Sequence, residues 1–164
     1  MKIEIERKFL LKDRFPYWSY ENSIYYSKEN IRQGYFQNSN IRVRIIDEEK
    51  AFLTIKGDRE YISRDEFEYE IPIHDAYVII SLFCPNSILK TRYMCKENGL
   101  IWEIDIFHEL NEGLEIAEAE LESEDQKIIL PSWIGKEVTD DDRYYNHYLC
   151  ENPYRIWCLG DRYG

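Results

Sequence analysis

Charged residues in this chain recur in like-signed pairs two positions apart. Glu4/Glu6, Glu68/Glu70 and Glu118/Glu120 are acid pairs, and Arg42/Arg44 and Lys90/Arg92 are basic pairs. In an extended strand such residues share one face, where like charges repel unless a counter-charge or ligand lies between them. A solubility face mixes its signs along each strand, so sorting by sign points to a bound ligand. Arg and Lys clusters suit phosphate oxygens, Arg through its bidentate fork. Paired carboxylates suit hard divalent cations such as Mg2+ or Mn2+, which bind phosphates jointly with protein oxygens. Together the two sets describe a metal-bound polyphosphate. With Lys8, Lys56 and Asp105 added, six basic groups face seven acids. Two divalent ions add about four positive charges and a triphosphate about four to five negative ones, which leaves such a site near neutral. No glycine-rich phosphate cradle occurs, so side chains must hold the phosphates.

Strands must carry these pairs, because apolar residues alternate with them at period two. The alternation predicts strands over Ile3–Phe9, Ile41–Ile45, Ala51–Lys56, Glu66–Ile71, Leu89–Tyr93, Leu100–Phe107 and Glu115–Glu122. Asp47-Glu48-Glu49-Lys50, Gly57-Asp58, Asn98-Gly99 and Asn111-Glu112-Gly113 supply turns between them. Helices are predicted over Asp75–Phe83, ended by Cys84-Pro85, over Ser123–Leu130 with Ser123 as N-cap and Pro131 as stop, and over Thr139–Leu149 with a Thr139/Asp142 capping box. Arg14–Tyr20 is ambiguous. Strands with one apolar and one charged face admit two architectures. An open sheet packs its apolar face on helices, whereas a closed barrel turns its charges inward and has its apolar face covered from outside.

Composition narrows the function classes. At 164 residues the chain suits one domain. Its net charge of −11 argues against a nucleic-acid footprint, which needs phosphate-neutralising Lys and Arg. No apolar stretch spans a bilayer, and Met1–Glu6 carries acids where a signal peptide needs an apolar run, so a cytoplasmic location is expected. Cys84, Cys95, Cys150 and Cys158 form no C-x-x-C pair and read as free thiols in a reducing compartment. His74, His108 and His147 are too scattered to suggest a metal or triad site.

The residues Glu4-Ile5-Glu6-Arg7-Lys8 resemble the N-terminal E-x-E-x-K signature of the CYTH superfamily, the triphosphate tunnel metalloenzymes. The resemblance continues in order through Ile41–Arg44, Leu53–Gly57, Phe67–Pro72, Leu89–Tyr93, Trp102–Phe107, Ala117–Leu121, Gly135–Thr139 and Arg143–Asn146. It covers residues 1–150 as one domain and leaves 151–164 as a tail of open role. It implies an eight-stranded antiparallel closed β-barrel with a few outer helices, Ile31–Phe36 being the place for the eighth strand. It also implies a metal-dependent triphosphatase using Mg2+ or Mn2+, with two ions, and homodimer formation. Carried over by position, Lys8, Arg42, Arg44, Lys56, Lys90 and Arg92 bind phosphate. Glu4, Glu6, Glu118 and Glu120 hold the metals, helped by Glu68, Glu70 and Asp105, and the catalytic set is Glu4, Glu6 and Lys8. Arg59 and Arg64 are left out as solvated loop charges. Glu103 shares the face of Asp105, and Glu66 and Glu122 fall at the rim; Arg143, Tyr145 and Asn146 lie on a C-terminal helix that either plugs or lines one tunnel end or, the more common use of Tyr and Asn at this spacing, supplies packing and capping. The short chain, Gln33-Gly34-Tyr35 and the Glu137–Asn146 block resemble the bacterial inorganic triphosphatase branch, so inorganic triphosphate, or else an organic or nucleoside triphosphate, is the expected substrate. The alternatives are a class IV-type adenylate cyclase, a thiamine triphosphatase, a non-catalytic polyphosphate- or nucleotide-binding module, and a structural sheet protein.

Overall fold

The computed structural model describes residues 2–12, 25–58 and 62–157. The ambiguous Arg14–Tyr20 segment, Arg59, Cys158 and the tail beyond Trp157 lie outside the described residues. Nine strands follow one another as β1 (Lys2–Leu11), β2 (Tyr25–Tyr35), β3 (Ile41–Ile46), β4 (Lys50–Lys56), β5 (Ser63–Ile71), β6 (Ser87–Glu97), β7 (Leu100–Phe107), β8 (Glu115–Glu120) and β9 (Ile134–Glu137). Among the described residues there are two α-helices, α1 (Ile73–Phe83) between β5 and β6 and α2 (Asn146–Glu151) after β9. All pairings are antiparallel, in the order β5-β4-β3-β2-β6-β7-β8-β1, and β5 returns to β1 to close a barrel of eight. β1 makes closure possible by dividing its length. Lys2–Ile5 pair with β5, Glu6–Leu10 pair with β8, and Phe9 and Leu11 pair with the extra strand β9. The expected eighth strand is β2, which extends well upstream of Ile31 and pairs along most of its length with β6.

Local sequence explains the hairpins. Asp47 and Glu48 adopt φ of 51° and 59°, and Asn98 and Gly99 adopt 52° and 80°. Two successive positive φ values match the right-handed strand twist, and Asn-Gly reaches them at least cost. The apolar faces point outward and are covered in three patches. Phe9, Trp102 and Trp133 meet edge-on, with centroids 5.8 and 5.7 Å apart, above Ile104, Ala117 and Ala119. Ile88, Phe107, Ile116, Tyr144 and Leu149 form a second patch. Val43, Ile45 and Ala51 lie under Ala76 of α1. Each buried Leu, Ile or Phe side chain in these patches stabilises the fold by about 1.5–3 kcal/mol. The charged faces therefore point inward, which selects the barrel over the open sheet.

Two helix expectations are corrected. Ser123–Leu130 forms turns and extended chain instead of a helix, and Gln126 folds back so that its side-chain oxygen accepts from the Glu122 N–H at 2.7 Å. Seven residues between cap and proline barely exceed a helical nucleus, and the β-branched Ile128 packs on the tryptophan patch. Thr139–Leu149 is not one helix but a 3-10 turn over Asp142–Tyr144 followed by α2. Thr139 caps neither, because its hydroxyl accepts from the Lys8 N–H at 3.0 Å, and the cap is Asp141, which accepts from the Arg143 N–H at 3.2 Å. Tyr154 and Trp157, from the expected tail, pack on Tyr144, with the Trp157–Tyr144 centroids 5.4 Å apart. Among the described residues no helix is long and apolar enough to cross a membrane. Cys84, Cys95 and Cys150 are buried free thiols.

Candidate active site

The barrel interior holds a cavity of about 250 Å3. At ~30 Å3 per liquid water, that is room for roughly eight waters or for a compact polyanion. One wall is acidic. Register sets Glu6 of β1 directly opposite Glu120 of β8, and Lys8 opposite Glu118. Arg42 and Arg44 of β3 form the basic wall, four strands from β8 in the ring of eight and so across the barrel from Glu118 and Glu120. Glu4 of β1, Lys56 of β4, Arg92 of β6 and Glu68 of β5 complete the expected lining.

Three expected site residues lie elsewhere. Lys90 and Asp105 have fully buried side chains and do not line the cavity. They sit behind its wall, Lys90 donating to Asp105 at 2.5 Å. Glu70 shares the inward face of β5, but it lies opposite Phe52, two residues beyond Glu68, and is exposed outside the cavity. The lining also contains residues the sequence reading had set aside. Arg64 belongs to β5, not to a loop, and lines the cavity with Glu66 and Glu103. A signal existed for it, since Arg64, Glu66 and Glu68 continue one period-two face. Tyr35, Tyr145, Asn146 and His147 line it too; Tyr145 and Asn146 belong to the segment that is one candidate for closing a tunnel end, whereas no local pattern points to Tyr35 or His147.

Ion pairing fixes most of these side chains. Glu4 accepts from Lys56 at 2.7 Å and from Arg64 at 2.8 Å. Arg92 forks onto Asp105 at 2.7 and 2.8 Å, pairs with Glu103, and reaches Glu118 at 3.3 Å. Lys8 pairs with Glu118. Thr54, fully buried, accepts from Arg42 at 3.3 Å and donates to Glu68 at 2.9 Å, bridging the two. Arg44 differs: its buried Nε, like that of Arg42, has no hydrogen-bond partner among the described residues. Buried donors left unpaired are costly, and an anion in the cavity would satisfy them.

Protonation follows from the same contacts. Burial pushes the Glu4 carboxyl up, but Lys56 and Arg64 outweigh it and hold its pKa at about 2. Burial raises Glu6 above the ordinary carboxylate range, and the neighbouring Glu118 and Glu4 add to the rise against Lys8. Burial opposes the charge on Lys8, yet Glu118 and Glu6 carry its pKa above the ordinary lysine value. Burial, then Arg42 and Arg92, lower Arg44 to about 10. Burial and the adjacent Arg92 draw Lys90 down to about 7 in spite of Asp105. The cavity lining carries six Lys and Arg against seven Glu. That is a net −1 before any ligand, counting 6 − 7.

The donor set fits a divalent metal of the Mg2+ type. Glu6 and Glu120 stand directly opposite each other across β1 and β8, with Arg64 3.6 Å and Lys8 3.9 Å from Glu6, and a divalent cation would further offset the repulsion of like charges so placed. Among the described residues no three acidic, His or Cys side chains gather into a complete metal cage. Mg2+ needs no such cage, because it binds through one or two carboxylates and takes its other ligands from water and phosphate.

The CYTH domain model matches residues 2–147. The chain is 42% identical over 156 residues to an inorganic triphosphatase of Acetivibrio thermocellus, covering 93% of this chain and 96% of that protein. It is 34% identical over 152 residues to an inorganic triphosphatase of Nitrosomonas europaea, covering 89% and 95%. The crystal structure of the inorganic triphosphatase NE1496 superposes with a TM-score of 0.65 at 32% identity, covering 92% of this chain and 95% of that one. With nearly its whole length matched, the chain belongs to the CYTH domain family.

Proposed function

We propose that the chain hydrolyses the terminal phosphoanhydride bond of inorganic triphosphate, with Mg2+ or Mn2+, two ions, as cofactor. The observation that carries this reading is the buried cavity in which Arg42 and Arg44, with unpaired Nε donors, face carboxylates across the barrel. Two relatives named inorganic triphosphatase support the substrate. In this reading Arg42, Arg44 and Lys56 bind the oxygens of the phosphate chain. Arg92 is held to one orientation by the Asp105 fork and presents its remaining edge to the substrate. Lys90 and Asp105 act from behind the wall, Asp105 orienting Arg92 and Lys90 balancing its charge. Glu4, Glu6, Glu118 and Glu120 would hold the metals, with Glu68 near the phosphate chain. When bound, divalent ions supply Lewis-acid neutralisation of phosphate charge and acidify the attacking water. Water attacks the terminal phosphorus, the bridging P–O bond breaks, and pyrophosphate and phosphate leave. Such transfer asks the protein mainly for positioning and charge stabilisation. Glu118 and Glu6 favour the ammonium form of Lys8 in the metal-free cavity, and in this reading that ammonium stabilises charge on the transferring group. The buried free thiols support a cytoplasmic setting, and two-fold assembly is the commonest state for such a chain.

The test is phosphate release from inorganic triphosphate, ATP and thiamine triphosphate with Mg2+, Mn2+ or EDTA, reading cyclic AMP in the ATP samples. Release greatest on inorganic triphosphate and abolished by EDTA is expected. Preference for thiamine triphosphate, or cyclic AMP in place of phosphate, would move the protein to another branch of the family.

A further inference from the structure

Tyr145 is a buried residue of the cavity lining that the phosphate chemistry above does not use. Its ring centroid lies 4.6 Å from the Lys8 Nζ. Its hydroxyl donates to the Thr139 carbonyl at 2.8 Å, and the Thr139 hydroxyl oxygen accepts from the Lys8 N–H at 3.0 Å. The Val138 N–H donates to the Lys8 carbonyl at 2.8 Å. The contacts make a closed circuit from the Lys8 ammonium through Tyr145 and Thr139 back to the Lys8 backbone. Tyr145 is itself fixed, since its carbonyl accepts at 3.0 Å from the N–H of Leu149, a fully buried residue of α2.

The chemistry of the ring matters as much as its place. Glu118 pairs with the Lys8 ammonium, and Glu6 lies 3.9 Å away. Both draw it toward the acidic wall. A third carboxylate would hold the ammonium but add charge that repels phosphate. An aliphatic side chain would leave that side of the ammonium without attraction. An aromatic face attracts the cation through its quadrupole and adds no net charge.

We propose that Tyr145 is a positioning residue for Lys8, whose ring holds the ammonium at the transferring phosphoryl group. The inference rests on the triphosphatase reaction proposed above. Its test is steady-state phosphate release from inorganic triphosphate with Mg2+ by the wild type, Tyr145→Leu and Tyr145→Phe. Y145L lowers kcat roughly 30-fold, the equivalent of about 2 kcal/mol for a desolvated cation–π contact. KM changes by less than about threefold, because Arg42, Arg44 and Lys56 are untouched and the lost contact serves the transition state. Y145F restores the ring without the hydroxyl and recovers most of the loss. A packing role alone predicts a lower melting temperature without this split between kcat and KM. Should Y145L fail to fold, lysine-labelled wild type decides the contact. The ring shifts the Lys8 ε-methylene protons upfield, a signal assigned by its loss in Lys8→Arg. Absence of that signal, an unchanged kcat in Y145L, or equal losses in Y145F and Y145L overturns the positioning role while wild-type turnover stands. A wild type that releases no phosphate overturns the reaction, and this role with it.

Discussion

Two cations hold Glu4 ionised, Lys56 and Arg64, and this has a consequence for stability. Its folded-state pKa of about 2 lies below the ordinary 4.5, so ionised Glu4 stabilises the metal-free fold by about 3 kcal/mol at neutral pH. That stabilisation is complete above about pH 4.5 and is lost as pH falls through about 2. Glu4→Gln mimics the protonated form. Denaturant unfolding of the metal-free variant is expected to show a deficit of about 3 kcal/mol at pH 7 that closes near pH 2, with turnover lost. A constant deficit across that range would contradict the pairing. Spacing made much of the site legible at this scale, because Glu4, Glu6, Arg42, Arg44 and Glu118 alternate with apolar neighbours. The sequence did not reveal that Lys90 and Asp105 sit behind the wall, since strand alternation gives a face but not a depth. Tyr145 was harder to place for a different reason: it is the single extended residue joining the 3-10 turn to α2, where no short period marks an inward side.

Strand elements were easier to find than helices. A strand buried on its apolar side leaves a period-two record, which located seven of the barrel strands. The eighth, β2, alternates poorly, with Gly34 and Gln33 in place of an apolar/charged contrast. Gly34 is small because Cys84 crosses close by, where an added Cβ would come within 2.8 Å of the Cys84 Cβ. The short strand β9 matters beyond its length, since it leads Val138 and Thr139 onto Lys8. Gly135 sets how closely β9 approaches β1: a Cβ there would meet the Leu10 carbonyl oxygen at 2.9 Å and the Lys12 nitrogen at 3.2 Å. These are backbone atoms and cannot swing aside. Gly135→Ala is expected to destabilise the fold by about 1–3 kcal/mol, read as a lower melting temperature, with kcat falling as Lys8 loses its alignment. An unchanged melting temperature would show that β9 does not pack as described.

For the whole molecule, the barrel inverts the usual arrangement of core and surface. Apolar side chains cover the outside in three patches, and ion pairs fill the inside. Buried ion pairs contribute little net stability and cost several kcal/mol when one partner is removed. The interior is therefore better explained by the ligand it holds than by folding. In the proposed reading its net −1 favours entry of a polyanion together with divalent cations, which would tie metal dependence to the charge of the interior. The measurement that bears most directly on this claim is steady-state hydrolysis of inorganic triphosphate by the wild type, Arg42→Ala and Arg44→Ala, each with Mg2+ or EDTA. Wild-type turnover is expected to depend on metal, with kcat/KM falling at least ~100-fold in each variant through loss of charge-assisted hydrogen bonds of about 1.5–3 kcal/mol plus the transition-state charge they neutralise. Unchanged kinetics in both arginine variants, or full activity in EDTA, would contradict it.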